Sequence, residues 1–316
     1  MSLRGITNFG DATVINQVRE NLISMFDYGL LEKGAYINVE IPTTGIYGGN
    51  DHQLRLVNDP RYNSGQVWQS FRSNWVWESG LGALTSNDNA YPGVSGVYVN
   101  NTFYPTSTTG AYAHHINHPL GRVIFDTAID TDSTVTCEYS YKYVNVTRAD
   151  GLEWFKQIQT KSERSDNTNF INNSGEWSIL GDNRLQLPTI GVELVNSRKM
   201  APHALGGGQR IYTDYLFHCV AEDAYTRDSL MDIVSFQNDK SIKSYDLNAI
   251  AANDAFPLDY RGVPVSGALL YDQIINAYQG RHIKLMGIAA DSVYSMSPDI
   301  HIGTMKLTTE MIVFGV

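Results

Sequence analysis

The chain has 316 residues and a formal net charge of −10, with 18% of its residues charged. This length allows two domains that each bury a core. The acidic balance excludes a surface that grips nucleic acid through clustered Lys and Arg, although DNA can slide past such a surface without sticking. No apolar run approaches the roughly 18 residues of a membrane-spanning helix, and the N-terminus lacks the apolar core of a signal peptide. We therefore expect a protein that is made in a cytoplasm and stays soluble or joins an assembly there.

Residues 1–41 predict a helix followed directly by a strand. Apolar residues recur every three to four positions from Val14 to Phe26, and Asp11 can cap the start of this helix. We expect the helix to end near Gly29. Alternating apolar residues then predict a strand that ends at Pro42.

Residues 42–147 show almost no helical periodicity and are rich in turn-forming and aromatic residues. Alternation around two central asparagines predicts a β-hairpin over Gly96–Tyr104. A short strand follows over Gly121–Ala128. One long strand is expected over Thr134–Val146, with every second residue from Val135 on one face. This segment is predicted to be an all-β module, either a sandwich or barrel-like.

Residues 148–316 return to mixed structure. The pattern after Asp150 predicts a short helix at Trp154, and the polar Lys161–Gly181 predicts a long mobile loop. The stretch Arg210–Asn238 alternates as a strand and then becomes helical, with Asp223 or Thr226 as the possible cap.

The chain closes with another helix at Leu269–Tyr278 and two long antiparallel strands, His282–Met296 and His301–Phe314. The predicted fold class is therefore α+β, an antiparallel sheet packed with a few helices. Residues 1–41 and 148–316 form this core, and 42–147 is inserted between them.

Candidate chemical sites are few. His114, His115 and His118 have a spacing that suggests zinc, but in a β-rich region they would not face one centre, so we expect an exposed loop. An acidic turn at Asp126–Asp132 lacks the glycine and terminal glutamate of a calcium loop and is expected to link two strands.

Other patterns also argue against a catalytic or ligand-binding site. The glycines at 206–208 precede a strand rather than a helix, so we expect a flexible loop and not a phosphate site. No catalytic motif is visible, and the chain is predicted to be no enzyme and to need no cofactor or metal. Cys137 and Cys219 are expected to be two buried thiols rather than a disulfide.

The candidate interface residues fall into two groups. The aromatic residues Trp68, Phe71, Trp75 and Trp77 indicate either an aromatic core or a surface for protein or carbohydrate. Asp214 and His218 lie on the second face of the predicted 210–220 strand and are polar positions suited to an interface.

Several phrases of the chain resemble virion structural proteins of contractile-tailed bacteriophages. They are ENLISMFDYGLLEKGAYINVEI, FRSNWVWESGL, GVYVNNTFYP, GRVIFDTAI, TVTCEYSYKYVNV and RIYTDYLFHCVAEDAYTRDSLMDIVSFQNDKSI. Within that group the order of elements resembles neck proteins of the tail-terminator class, although the inserted β-module departs from the small terminator pattern.

This resemblance implies an α+β core that forms a ring, usually a hexamer, at the head–tail junction of the virion. It implies assembly in the host cytoplasm, contacts with other neck, tail tube or sheath proteins, DNA passing nearby without specific binding, and no membrane. A baseplate or host-binding tail protein that uses the aromatic β-module is the alternative.

Overall fold

The computed structural model describes residues 14–41, 51–78, 93–151, 154–159, 185–203, 207–298 and 300–314. Strands account for 44% and helices for 19% of the structure, and most strand pairs are antiparallel. The predicted mixed α+β class is confirmed. The predicted Asp11 cap and the Lys161–Gly181 loop lie outside the described residues.

The helices and strands are numbered here in chain order. The helices are α1 (Val14–Glu32), α2 (Ala224–Ser235), α3 (Leu247–Ala252) and α4 (Tyr271–Ala277). The strands are β1 (Tyr36–Val39), β2 (Gln53–Leu56), β3 (Val67–Gln69), β4 (Gly96–Val99), β5 (Thr102–Pro105), β6 (His114–Asn117), β7 (Arg122–Phe125), β8 (Val135–Cys137), β9 (Tyr139–Lys142), β10 (Asn145–Arg148), β11 (Ile158–Gln159), β12 (Leu185–Gln186), β13 (Thr189–Pro202), β14 (Gln209–Ala221), β15 (Ser241–Tyr245), β16 (Gln279–Ser297) and β17 (Ile300–Val313).

A six-stranded sheet in the order β10-β13-β14-β17-β16-β15 contains the longest strands of the protein that the structure describes, and we call it the first layer. All its neighbours are antiparallel except β10 and β13, which are parallel. The predicted strand and helix at Arg210–Asn238 are confirmed as β14 and α2, and β14 lies in the interior of the sheet. Asp223 is the residue that caps α2, because its carboxylate accepts a hydrogen bond from the Thr226 amide.

Helices α1 and α2 cover one face of this sheet. Alternate residues of β14 point into the shared core, including Ile211, Tyr215 and Phe217, all less than 5% exposed. Phe26 of α1 packs on the ring of Phe217 with centroids 5.2 Å apart. Burial of each such side chain contributes roughly 1.5–3 kcal/mol, so this face is the stable centre of the layer.

A seven-stranded sheet in the order β5-β4-β8-β2-β3-β7-β6 forms the second layer. All its strands come from between Gln53 and Pro105 or between His114 and Cys137, within the segment predicted as an inserted module. The hairpin prediction is confirmed: Asn100 and Asn101 link β4 to β5 with φ of 49° and 66°. Positive φ at both central residues is the type I′ requirement, which asparagine tolerates.

The prediction of one long strand over Thr134–Val146 is wrong. The segment is divided into β8, β9 and β10, which belong to three different sheets. Tyr139, Ser140 and Tyr141 are all buried, so both faces of β9 are covered where the chain passes from one layer to the other. The alternating pattern correctly predicted an extended backbone, but the pairing partners change along the segment.

Two helix predictions also needed correction. Helix α1 continues past Gly29 to Glu32, because Gly34 ends it with φ of 82° and amides of Gly34 and Ala35 bond back to the last turn. The short helix expected at Trp154 is a single 3-10 turn over Phe155–Gln157, which leads directly into β11.

Candidate interaction surfaces

Three of the four aromatic candidates lie in the hydrophobic interior. Trp75 is 0% exposed, stacks on Tyr139 with centroids 4.2 Å apart, and donates its indole N–H to the Arg72 carbonyl at 2.9 Å. Trp68 and Phe71 are also buried. For these three side chains, burial supports the aromatic-core interpretation, whereas Trp77 is partly exposed.

The three histidines do not form the exposed loop that we expected. His114 and His115 occupy successive positions of β6, so their side chains leave opposite faces of the strand. His114 and His118 are buried, and His118 Nδ1 lies 3.1 Å from the Gly262 carbonyl. Burial lowers the pKa of all three side chains. Within the described ranges, no three His, Cys, Asp or Glu residues form a group that could hold a metal ion.

The acidic turn and the cysteines follow the predictions. Asp130 accepts a hydrogen bond from the Asp132 amide at 3.0 Å within the turn that links β7 to β8. Cys137 and Cys219 are both buried and free, and they lie in the cores of different layers. Burial raises the pKa of both thiols, which makes them poor nucleophiles.

Asp214 and His218 lie on the face of the six-stranded sheet opposite α1 and α2. Asp214 binds Lys306 of β17 at 2.8 Å and accepts a hydrogen bond from Thr308 at 2.7 Å. His218 Nε2 lies 2.7 Å from Glu193 of β13. Within each cross-strand pair the two polar side chains bind each other, so this face is a stable polar surface rather than a reactive centre.

One end of this polar face is covered. The segment at 154–159 packs on Val220 and Ile302, and the Trp154 ring lies 5.5 Å from that of His218. Gly191 makes this possible, because a Cβ there would approach the Trp154 ring to 3.2 Å.

The six-stranded sheet has two strand edges with no described partner. β15 pairs with β16 only up to Lys284, which leaves Met286–Ser297 as one free edge. β10 pairs with β13 only up to Val192, which leaves Glu193–Pro202 as the other free edge. We name these the β16 edge and the β13 edge. Unpaired N–H and C=O groups make such edges templates for another strand.

The two edges differ in chemistry. The β16 edge exposes apolar side chains, with Val293 at 51%, Tyr294 at 48% and Met296 at 57%. The β13 edge carries exposed Arg198 and Lys199, together with Met200 at 54%. Exposed apolar side chains grouped on an edge indicate a contact surface rather than scattered surface residues.

β16 is bent by three β-bulges. Its register against β17 shifts at three places, and Met286, Asp291 and Met296 are the residues left without a β17 partner. Bulges of this kind increase twist and usually discourage a long continuous ladder. Any strand added at the β16 edge would therefore pair between bulges, with apolar side chains supplying much of the contact.

A cavity of about 260 Å³ lies between α1, α3, α4 and Trp77–Glu78. Beside it, the Lys142 ammonium is bound by Asp27 of α1 at 2.5 Å and by Glu78 at 2.8 Å. The side chains of Lys142 and Glu78 are only 12% and 6% exposed. This triad connects α1 to the strand that crosses between the two layers.

The pKa values in the triad reflect this crowding. Burial raises the pKa of Asp27, an effect that Glu78 reinforces and Lys142 opposes. Burial alone would lower the pKa of Lys142, but the two carboxylates outweigh it and raise that pKa above its ordinary value. Lys142 therefore stays charged, and the two acids compete for one cation.

The triad, the cavity and the two edges were not predicted from the sequence. One signal was present: Lys142 stands in a Tyr-rich strand expected to be buried, and a buried ammonium requires a carboxylate partner.

None of the described helices is long and apolar enough to cross a membrane. Comparison of the chain with models of protein families and with curated proteins finds no match.

Proposed function

We propose that this chain is a structural protein of a contractile-tailed phage virion that forms a ring at the head–tail junction. In this role it resembles a tail terminator, connects the tail to the head and surrounds the passage for DNA. The observation that carries the proposal is the pair of free edges on opposite sides of one sheet, because a ring protomer must offer two different complementary surfaces.

Strand direction supports pairing between these two edges. β13 and β16 run in opposite directions within the sheet, so the β16 edge of one copy meets the β13 edge of the next as an antiparallel pair. The registers also place Met200 and Val293 on the same face of such a continuous sheet, since both align with buried positions of β14.

Charge supports the same pairing. Arg198 and Lys199 make the β13 edge basic, while Asp291 is an exposed carboxylate on the β16 edge. These edges differ from each other, so the contact is head-to-tail and can repeat from copy to copy. A head-to-tail contact closes into a ring when its rotation is a whole fraction of a turn.

The positions of the free segments constrain the ring. The β13 edge lies at the end of the sheet where Pro202 pairs with Gln209, and the β16 edge lies at the end where Ser297 pairs with Ile300. Joining them shifts each copy along the strands. A closed ring tolerates this shift only if its strands are inclined to the ring axis, as in a barrel.

The remaining features of the proposal follow from the acidic composition and the resemblance. A net charge of −10 suits a channel wall that must not trap DNA. Hexameric order, and contacts with other neck, tube or sheath proteins, are part of the same proposal. The host-binding alternative relied on the aromatic β-module, and it loses three of its four named candidates to the interior, Trp68, Phe71 and Trp75.

The experiment uses two edge variants of the full chain. Met200→Asp disables the β13 edge and Val293→Asp disables the β16 edge, and both side chains are about half exposed, so the fold should tolerate them. Light scattering after size exclusion should give rings for the parent and monomers for each variant. A mixture of the two variants has one intact contact and should form a complex of about twice 35.2 kDa.

The control is Tyr260→Asp, which changes a side chain that is 96% exposed but distant in sequence from both edges, and should leave the rings intact. Rings that persist in both edge variants, or a mixture that stays monomeric, would reject the edge contact. Position in the virion is tested separately by tracing this chain in images of intact particles. Its density at the baseplate rather than the neck would reject the junction role.

A further inference from the structure

The cavity beside the Lys142 triad has walls that are largely aromatic. The rings come from Tyr28 on α1, Trp77, Tyr245, Phe256 and Tyr271. Tyr28 and Tyr271 lie with ring centroids 5.6 Å apart, and Tyr245 meets Tyr271 edge-to-face at 6.1 Å. Aromatic faces carry negative electrostatic potential and attract cations within about 6 Å.

The charged side chains that line the cavity, as far as the described residues show, are all acidic: Glu20, Asp27 and Glu78. Their cationic partners bind them without lining the cavity. Arg148 binds Glu20 at 2.7 Å, and Lys142 is shared by Asp27 and Glu78. One ammonium for two carboxylates leaves this wall with an excess negative charge.

A third observation points to a missing polar group. The hydroxyl of Tyr271 is buried and has no hydrogen-bond partner among the described residues. A buried hydroxyl without a partner costs about 1–3 kcal/mol, and a ligand that donates to it would recover that energy. An ammonium group has three donors and no acceptor, which matches carboxylates and an accepting hydroxyl.

We propose that this cavity binds a primary ammonium group on a short apolar stem. The aromatic rings contact the stem and the cation, and the Asp27–Glu78 wall neutralises the charge. Its volume of about 260 Å³ lies just below the usual range of ligand sites, roughly 300–1,000 Å³, so we expect a short stem of about four or five methylenes, close to a lysine side chain. The same carboxylates already bind the ammonium of Lys142, which shows that their spacing suits this group.

The test is calorimetric titration of the full chain with n-pentylammonium and, as the matched neutral probe, 1-pentanol. We expect a Kd on the order of 1 mM for the amine, because a ligand of this size has few contacting atoms. The alcohol should bind at least about tenfold more weakly, since it lacks the charge. Equal affinities, or no heat from the amine well above this concentration, would overturn the proposal.

Two variants and a control locate the site. Glu78→Gln removes the excess charge while leaving Lys142 paired with Asp27, and should weaken amine binding about tenfold. Tyr271→Phe removes the unpartnered hydroxyl and should weaken it several-fold without destabilising the fold. Asp132→Asn, in the exposed turn that links β7 to β8, should leave amine binding unchanged. An unchanged affinity in Glu78→Gln would exclude this cavity as the site.

The source of the ammonium is decided with a blocked lysine, Nα-acetyl-lysine N-methylamide. Affinity equal to or above that of pentylammonium would identify the lysine side chain of a partner chain as the ligand. Binding of the simple amine alone would show that the peptide backbone does not fit, and the ligand is then a free amine. Either result retains ammonium recognition, and both are independent of ring formation.

Discussion

Replacing Lys142 by Met should destabilise the protein strongly. The change removes an ammonium that is 12% exposed and leaves Asp27 and Glu78 without their shared cation. Breaking a buried ion pair from one side typically costs about 3–5 kcal/mol. Because Asp27 is 23% exposed and water can reach it, we expect a value near the lower end, about 3 kcal/mol. Against a usual stability of roughly 5–15 kcal/mol, this loss is readily measured by urea unfolding.

The pH dependence of this loss has a definite sign. Without Lys142, burial and the neighbouring Glu78 carboxylate raise the pKa of Asp27 in the folded state further above its ordinary value of 3.8. Such groups are tolerated while protonated, and their contribution to stability is lost as the pH rises through the folded pKa. The deficit of Lys142→Met should therefore grow as the pH rises above 3.8, the ordinary pKa of an Asp carboxyl group.

Two further variants separate charge from packing. The neutral triple variant Asp27→Asn, Glu78→Gln, Lys142→Met should recover most of the lost stability, since no unpaired buried charge remains. The control Lys306→Met breaks the Asp214 pair on the polar face, where Lys306 is 48% exposed, and should cost less than about 1 kcal/mol. If Lys142→Met costs no more than this control, or its deficit shrinks as the pH rises, the triad does not have the role assigned to it.

Three other changes test the fold by urea unfolding. Trp75→Ala should cost about 3–5 kcal/mol because the side chain is fully buried, and a loss below about 1 kcal/mol would contradict its core position. Gly121→Ala should cost clearly more than Gly110→Ala: both have positive φ, a penalty of about 1–2 kcal/mol, but only at Gly121 would a Cβ strike the Arg72 carbonyl. Asp223→Ala should cost about 1 kcal/mol at pH 7. The Thr226 amide lowers the pKa of Asp223, so this difference should fade as the pH drops below 3.8, and a difference that persists there would contradict the cap.

Local structure was predictable where a single segment decides it. The Asn100–Asn101 hairpin and the Asp223 cap depend on backbone conformations that a few neighbouring residues determine. The alternation of β14 and β17 was also correct, because one face of each is buried against the helices. The predicted strand at β16 is also present, although only Ile283 and Leu285 of it are buried. In these cases periodicity and burial give the same information.

Pairing between distant segments was not predictable in this way. The segment after Thr134 keeps one alternating pattern, yet it contributes to three sheets, because its partners come from β4, β1 and β13 in turn. Two of these partners, β1 and β13, lie outside residues 42–147. The sequence carries the tendency to be extended, while the choice of neighbour depends on the assembled layers.

The aromatic candidates were ambiguous for a similar reason. A run of Trp and Phe is equally compatible with a core and with a contact surface, since both bury apolar area. Burial separates them here: Trp75 is inside one layer, whereas Trp77, two residues on, lines the cavity beside α1. The change occurs where the chain leaves its pairing with β9.

Lys142 is the clearest case in which one residue of the sequence indicates contacts between distant parts of the chain. A lysine in a strand whose neighbours are Tyr and Ser has no local explanation, because its ammonium can be buried only if carboxylates reach it. Those carboxylates come from α1 and from Glu78, which are separated from Lys142 by 115 and 64 residues. The lysine therefore indicates that its strand is enclosed by other parts of the chain. The same enclosure, completed by acidic and aromatic side chains, creates the cavity that we propose as an ammonium site.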